Sequence, residues 1–239
     1  NIKDNPLISI IVTSEGESKS LKKCIDSILE KTEYNNYEIL LISKDKKTDN
    51  LIKNNRVKLY SLDNGSSIPE MRNHGVKEAQ GEYVVILDEN AIVKDSNWLE
   101  GLLEYAQRDN TGAVGPKILS KNKEVLCTSF WFDEDNNLVN VHESLPPHMQ
   151  VRANLVANYT IISDICFMIS KKDYEDVGGF KENADLVYSW VDFFLRLSEK
   201  DLYNTYSPYS KIIYTTKNSF NKNINVENNQ IKKIEIKLF

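Results

Sequence analysis

Cysteine is scarce in this chain. Cys24, Cys127 and Cys166 are the only three in 239 residues, odd in number and far apart. That spacing matches neither a zinc cluster nor a disulfide framework, and it leaves free buried thiols in a reducing compartment as the reading. Long apolar runs are missing too. The longest, around Tyr83–Leu87 and Ile161–Ile169, are strand-sized and fall short of the roughly 18 residues of a membrane span. An excess of basic charge is also absent. The 30 Lys and Arg residues against 35 Asp and Glu give a formal net charge of −5, so no nucleic-acid partner is expected. No G-x-G-x-x-G fingerprint occurs, which argues against a dinucleotide oxidoreductase. The turn Ser14–Ser18 holds one Gly and two acids and is no phosphate cradle. Neither a leader pattern nor an internal repeat is visible, and the chain starts at Asn1, as a piece of a longer protein would.

What is present is an alternation of apolar strands and amphipathic helices. Leu7–Val12 and Tyr37–Ile42 are short β-branched runs that read as buried strands. Between them a helix near Ser20–Lys31 places Leu21, Cys24, Ile25, Ile28 and Leu29 on one face. A strand at Val57–Leu62, a helix at Ile68–Ala79, a strand at Tyr83–Leu87, a helix at Asn97–Arg108 and a strand at Ala113–Leu119 follow. This order predicts an α/β fold with a mostly parallel sheet and helices on both faces. The polar segment Phe130–Ala157, with Pro146-Pro147, reads as a long loop. His142 and His148 fall inside it and read as solvated, an approach to an acceptor being the sharper alternative. Asn158–Ser170 has strand character, Val177–Phe180 is a turn, Val187–Glu199 is helical and Tyr206–Tyr214 is a last strand. Residues 217–239 read as a tail or linker.

The stretch from Arg72 to Asn90 carries most of the functional signal. A strand delivers Asp88-Glu89-Asn90 at its C-terminal end, where open α/β sheets build ligand sites. Strand alternation turns Glu89 away from its two neighbours and leaves it a minor candidate.

Taken in order, PLISIIVTSE, CIDSILEKTEYNNYEILLIS, RNHGVKEAQGEYVVILDEN, NWLEGLLEYAQRDNTGAVGPKIL, VGGF, YSWVDFFLRL and YSPYSKIIY resemble the family 2 glycosyltransferases, especially those of bacterial surface-polysaccharide and rhamnan-type assembly. The resemblance runs from about Pro6 to Tyr214. It implies a GT-A fold over 1–216, with a Rossmann-like nucleotide half to about 119 and an acceptor half from about 120. It further implies an inverting transfer from a nucleotide-sugar to a glycan acceptor, helped by Mg²⁺ or Mn²⁺. Such a transfer needs a cation on the leaving diphosphate, a base for the attacking hydroxyl and a held nucleotide. By position, Thr13, Glu15, Ser43, Arg72 and Asp88 would serve the nucleotide, and Asp88 with Asn90 the metal.

Several matches are degenerate. Asn90 stands where a second carboxylate is usual, and Ser43 where an Asp reads the base. Tyr214 replaces a His. The usual base position is Trp190, whose indole cannot accept a proton. It reads as filling donor-sugar space or packing in the core, sugar stacking being the sharper alternative. Asp192 is the remaining catalytic candidate, about 200° around the helix from Trp190.

Three functions follow from these residues. One is an active transferase building a surface glycan in the cytoplasm, for which peripheral contact with the cytoplasmic membrane face is compatible. Another is a silent domain of the same fold that binds a nucleotide, a glycan or a protein, beside an active transferase or other domains of a longer chain. The last, a nucleotidyltransferase, lacks its usual Gly- and basic-rich loop.

Overall fold

The computed structural model describes residues 2–216 apart from 17–18, 46–47, 49–53, 135–136 and 145–146. The tail expected from 217 onward lies outside the described residues. The first strands, β1 (Ile8–Ser14) and β2 (Tyr37–Ser43), are buried at every position. Burial on both faces is what a parallel central strand requires, and it explains their unbroken apolar runs. Helix α1 (Lys19–Lys31) joins them and buries Leu21, Cys24, Ile25 and Ile28. Strand β3 (Val57–Ser61), helix α2 (Ile68–Glu78), strand β4 (Tyr83–Asp88) and the short β5 (Ala91–Val93) follow. Then come α3 (Trp98–Ala106) and β6 (Thr111–Leu119).

The segment expected to be a loop is structured. After β7 (Val125–Cys127), which precedes it, the segment holds most of β8 (Ser129–Phe132), then β9 (Leu138–Asn140), helix α4 (Val141–Ser144) and a 3-10 helix at Pro147–Asn154. Its strands are three or four residues long and half-exposed, so they leave no clean period in the sequence. The following strand region is broken into β10 (Ala157–Tyr159), β11 (Ile161–Ile162) and β12 (Cys166–Ser170). Helices α5 (Lys171–Asp176) and α6 (Leu186–Glu199) lead into β13 (Tyr203–Tyr214).

Among the described residues the main sheet has the order β10-β13-β6-β12-β4-β1-β2-β3, with β5 on β13 and β7 on β6. Strands β3, β2, β1 and β4 are parallel, whereas β12 runs antiparallel to both β4 and β6. The sheet is therefore mixed on the side of β12 and parallel on the side of β1. A second sheet, β11-β8-β9, lies apart from it. No described helix is long and apolar enough to cross a membrane.

Helix α2 is set on the sheet with little freedom. Ser67 and Glu70 form a reciprocal capping box at its start. Gly75 lies so close to β1 that a Cβ there would run into Ile11 Cγ2 and come within 3.2 Å of Ile42 Cγ1. Two residues earlier, Asn73 anchors the other side. Its Oδ1 accepts from the Tyr174 hydroxyl at 2.7 Å and from the Phe180 N–H at 2.9 Å. Its Nδ2 donates to Phe180 O at 2.8 Å and to Glu182 Oε1 at 2.9 Å. Gly179, at φ +63°, lets the VGGF turn pass beneath this amide. Asn73→Ala improves helix propensity yet strands the buried Tyr174 hydroxyl and the Phe180 amide. We expect it to lower unfolding free energy by about 2–4 kcal/mol in urea titration, the loss typical of a buried polar network.

Candidate functional site

The C-terminal ends of β1, β2 and β4 open on one side of the sheet. Thr13 of β1 lies in register with Asp88 of β4 and with Ile42 of β2, which brings Thr13, Ser43 and Asp88 to one edge. Asp88 is the last residue of β4, and its N–H donates to Ile165 O at 2.8 Å. Its Oδ1 accepts the Asn90 N–H at 2.7 Å and the Asn90 Nδ2 at 3.0 Å. The neutral side chain two residues on thus serves as a donor to Asp88. Burial pushes the Asp88 carboxyl up, and the two Asn90 donors pull it back. Asp164 raises it further and Arg72 lowers it.

Arg72 projects from α2 and is only 2% exposed. Its Nη2 donates to Asp164 O at 3.1 Å and to Asp164 Oδ2 at 3.2 Å, and its guanidinium sits over the Phe180 ring at 5.3 Å. Nε and Nη1 are buried with no hydrogen-bond partner. Two unused donors of a fixed cation beside a strand end suit an anionic ligand. Asp164 was not singled out in the sequence. The signal was there, since Ser163-Asp164 interrupts the apolar run from Ile161 to Ile169 and breaks β11 from β12.

The other candidates divide. Glu89 turns to β1, where its Oε2 accepts from Ser14 Oγ at 2.7 Å. The contact continues the β1–β4 register, in which Thr13 pairs with Asp88, and sets Glu89 apart from the Asp88–Asn90 pair. Glu15 is largely exposed and pairs with Lys44 at 3.2 Å across the cleft mouth. Ser43 is fully buried. Its hydroxyl lies 2.8 Å from Thr48 Oγ1, bonds Asp45 O at 3.2 Å and accepts the Asp45 N–H at 3.1 Å, so it closes its own turn. Tyr214 is buried on β13 in register with Ala91, and the following Thr215 donates to Asn90 O at 3.0 Å.

Trp190 and Asp192 stand on α6 and are not gathered with Asp88. Trp190 is 3% exposed. Its Nε1 donates to Ile162 O at 2.8 Å and its ring meets Phe130 edge-on at 4.9 Å. It packs in the core. Asp192 is also buried, with Oδ1 2.6 Å from Lys181 Nζ and Oδ2 2.7 Å from Arg196 Nε. Arg196 continues to Val177 O and to Gly179 O, the latter at 2.7 Å. Both oxygens of Asp192 are held by cations that fasten α6 to the VGGF turn. His142, expected to be solvated, is half-buried in α4. The side chain of His148 lies outside the described residues. All three cysteines are free and buried, as their number and spacing suggested.

Known proteins share this fold. Over 227 residues the chain is 27% identical to the O-antigen biosynthesis protein RfbC of Myxococcus xanthus, covering 89% of this chain and 18% of that protein. Over 116 residues it is 34% identical to the glycosyltransferase GlyG of Streptococcus pneumoniae serotype 4, covering 45% of this chain and 38% of that protein. The chain thus spans under two-fifths of the length of either relative. Among solved structures, GalNAc-T7 with UDP, GalNAc and Mn²⁺ matches with a TM-score of 0.71 at 16% identity, over 89% of this chain and 43% of that one. The mannosyltransferase PcManGT from Pyrobaculum calidifontis, in complex with GDP-Man and Mn²⁺, matches with a TM-score of 0.67 at 14% identity, over 91% and 59%. These two establish the GT-A fold. The profile described as "Glycosyl transferase family 2" matches residues 9–178, more than half of the chain, and the chain belongs to that family.

Proposed function

We propose that this chain is a glycosyltransferase-fold module of bacterial surface-polysaccharide assembly that holds a nucleoside diphosphate at Arg72 and Asp88 and contributes little sugar transfer of its own. The observation that carries this reading is Trp190. A ring sealed against Phe130, with its only N–H spent on Ile162 O, occupies the position from which a carboxylate would take the acceptor proton. Asp192 offers no replacement there, since two cations already hold its carboxylate. The biosynthetic setting comes from the O-antigen relative, and action beside an active transferase fits a chain that covers 18% of that protein. That setting supports a cytoplasmic site of action.

The donor set does not fit a tightly held Mg²⁺ or Mn²⁺. A hard cation wants oxygen ligands, usually carboxylates. Asp88 meets the amide N–H of Asn90 where a second ligand oxygen belongs. Among the described residues no three His, Cys, Asp or Glu side chains converge. Nucleotide binding therefore rests on Arg72 and the strand ends. A second reading, a slow but working transferase, is favoured by one observation. Asp164 puts another carboxylate beside Arg72 and close enough to Asp88 to raise it.

Calorimetry with UDP, GDP and dTDP, each with and without Mn²⁺, tests the proposal. At least one nucleotide should bind, with a Kd that Mn²⁺ changes by less than about threefold, or under 1 kcal/mol. No heat from any of them would remove the nucleotide role. A strong Mn²⁺ dependence, or turnover of a sugar donor, would favour the transferase reading. The double variant Asn90→Asp with Trp190→Asp should gain Mn²⁺-dependent binding, and Asn90→Asp alone serves if Trp190→Asp unfolds the core.

The half-buried Asp88 carboxyl has a further consequence. Its folded pKa lies above the unfolded value of roughly 4, so the ionised group lowers stability once pH rises past that value. The penalty is absent in acid and full at neutral pH. Asp88→Asn should then raise Tm by roughly 2–4 °C at pH 7.5, the shift that about 1 kcal/mol gives at this size. The gap should close as pH falls toward 4 in scanning calorimetry.

A further inference from the structure

On the far side of β4 from β1, a group of cations sits in the fold with few anions among the described residues. Strands β5, β13, β6 and β7 lie side by side. Lys117 of β6 is in register with Lys211 of β13. Lys94, just past β5, donates its backbone N–H to Lys211 O at 3.2 Å. His142 begins α4 above β7. Its N–H donates to Asn140 Oδ1 at 3.1 Å, while Asn140 Nδ2 donates to Leu126 O of β7 at 2.7 Å. The four side chains therefore come from adjacent ladders and meet over one patch.

Lys117 is the floor of that patch and is 6% exposed. Its Nζ donates at 2.6 Å to Asn154 Oδ1, a neutral acceptor. Among the described residues no carboxylate lies within ion-pair distance of Lys117 or Lys94, and only Asp95 answers the group, 3.0 Å from Lys211. His142 Nδ1 is buried with no hydrogen-bond partner. Burial pushes the Lys117 ammonium down, and Lys211 and Lys94 push it further. Burial and Lys117 do the same to His142. A buried ammonium with no counter-charge beside it is costly to keep. Keeping one beside two more lysines and an orphaned ring nitrogen calls for a ligand that neutralises them.

The patch also faces the right way. Strands β4 and β6 both run antiparallel to β12, so Lys117, near the end of β6, lies toward the same end of the sheet as Asp88. We propose that Lys117, Lys211, Lys94 and His142 form an oxyanion subsite for the carboxylate or phosphate of an acidic glycan. Only the glycan carrier of that anion rests on the proposed function. The charge pattern that demands an anion does not.

The test titrates the whole chain with glucuronate, glucose 6-phosphate and neutral glucose at low salt, by calorimetry or by chemical-shift changes. Lys117→Met, Lys211→Met and Lys94→Met are compared, together with binding of the nucleoside diphosphate. The wild type should bind one or both anionic sugars about tenfold more tightly than glucose, and the preferred one separates carboxylate from phosphate. Lys117→Met should weaken that binding about tenfold and leave the nucleoside diphosphate within about twofold. If Lys117→Met does not fold, the exposed-side variants of Lys211 and Lys94 should each weaken anion binding several-fold. Equal binding of charged and neutral sugars, no sugar binding, or anion binding indifferent to these lysines overturns the subsite. Equal loss of the nucleoside diphosphate in Lys117→Met assigns the lysine to the donor and overturns the inference while the proposed function stands. Anion binding without nucleotide binding in the wild type does the reverse.

Discussion

A carboxylate at the buried end of a strand must be neutralised or satisfied by its surroundings, and Asp88 is satisfied from within its own loop. The backbone and side-chain amides of Asn90 both point at Oδ1, and Arg72 with Asp164 forms a second charged layer behind them. The rest of the cleft depends on this arrangement. A second carboxylate at position 90 would repel Asp88 and create a demand for a cation. An amide removes both the repulsion and the demand. On the proposed function, the exchange of one oxygen for one nitrogen moves the site from cation chemistry toward hydrogen bonding.

The family positions this chain keeps and those it has lost differ in kind. Asn73 ties α2 to the VGGF turn by two hydrogen bonds with Phe180, and to Tyr174 and Glu182 by two more. Asp192 ties α6 to the same turn through Lys181 and Arg196. Gly75 admits the close contact of α2 with β1. Each of these holds the frame. The altered positions are Asn90, Trp190 and Ser43, which the family resemblance would assign to the metal, the base and the nucleotide base. Each is now satisfied internally, by Asp88, by Ile162 and Phe130, and by Thr48 and Asp45 respectively. On the proposed function, the scaffold contacts are kept while the groups that would act on a sugar donor are tied up within the protein.

Much of this was legible in the sequence, and the reasons it was are physical. Parallel strands buried on both faces leave unbroken runs such as ISIIV and YVVIL, so β1 and β4 could be read directly. Helix α2 announces itself by its capping box and Pro69. The segment 130–157 could not be read, because strands of three or four residues with exposed partners carry no usable period. Helix α5 was hidden for the same reason of length. At the site, residue type revealed which groups were missing, yet only coordinates show where the survivors point. Asp192 reads as a spare base until Lys181 and Arg196 are seen on it. Asp164 reads as an interruption in a strand until Arg72 is seen to reach it.

The central claim is that Asp88 and Asn90 satisfy each other rather than a metal ion. Diffraction from crystals grown with Mn²⁺ and the tightest-binding of UDP, GDP and dTDP, collected at the manganese absorption edge, tests it most directly. The account predicts the nucleotide against Arg72, the Asn90 amide still on Asp88, and no anomalous peak between those two side chains. A manganese peak ligated by Asp88 and by the Asn90 oxygen would contradict it.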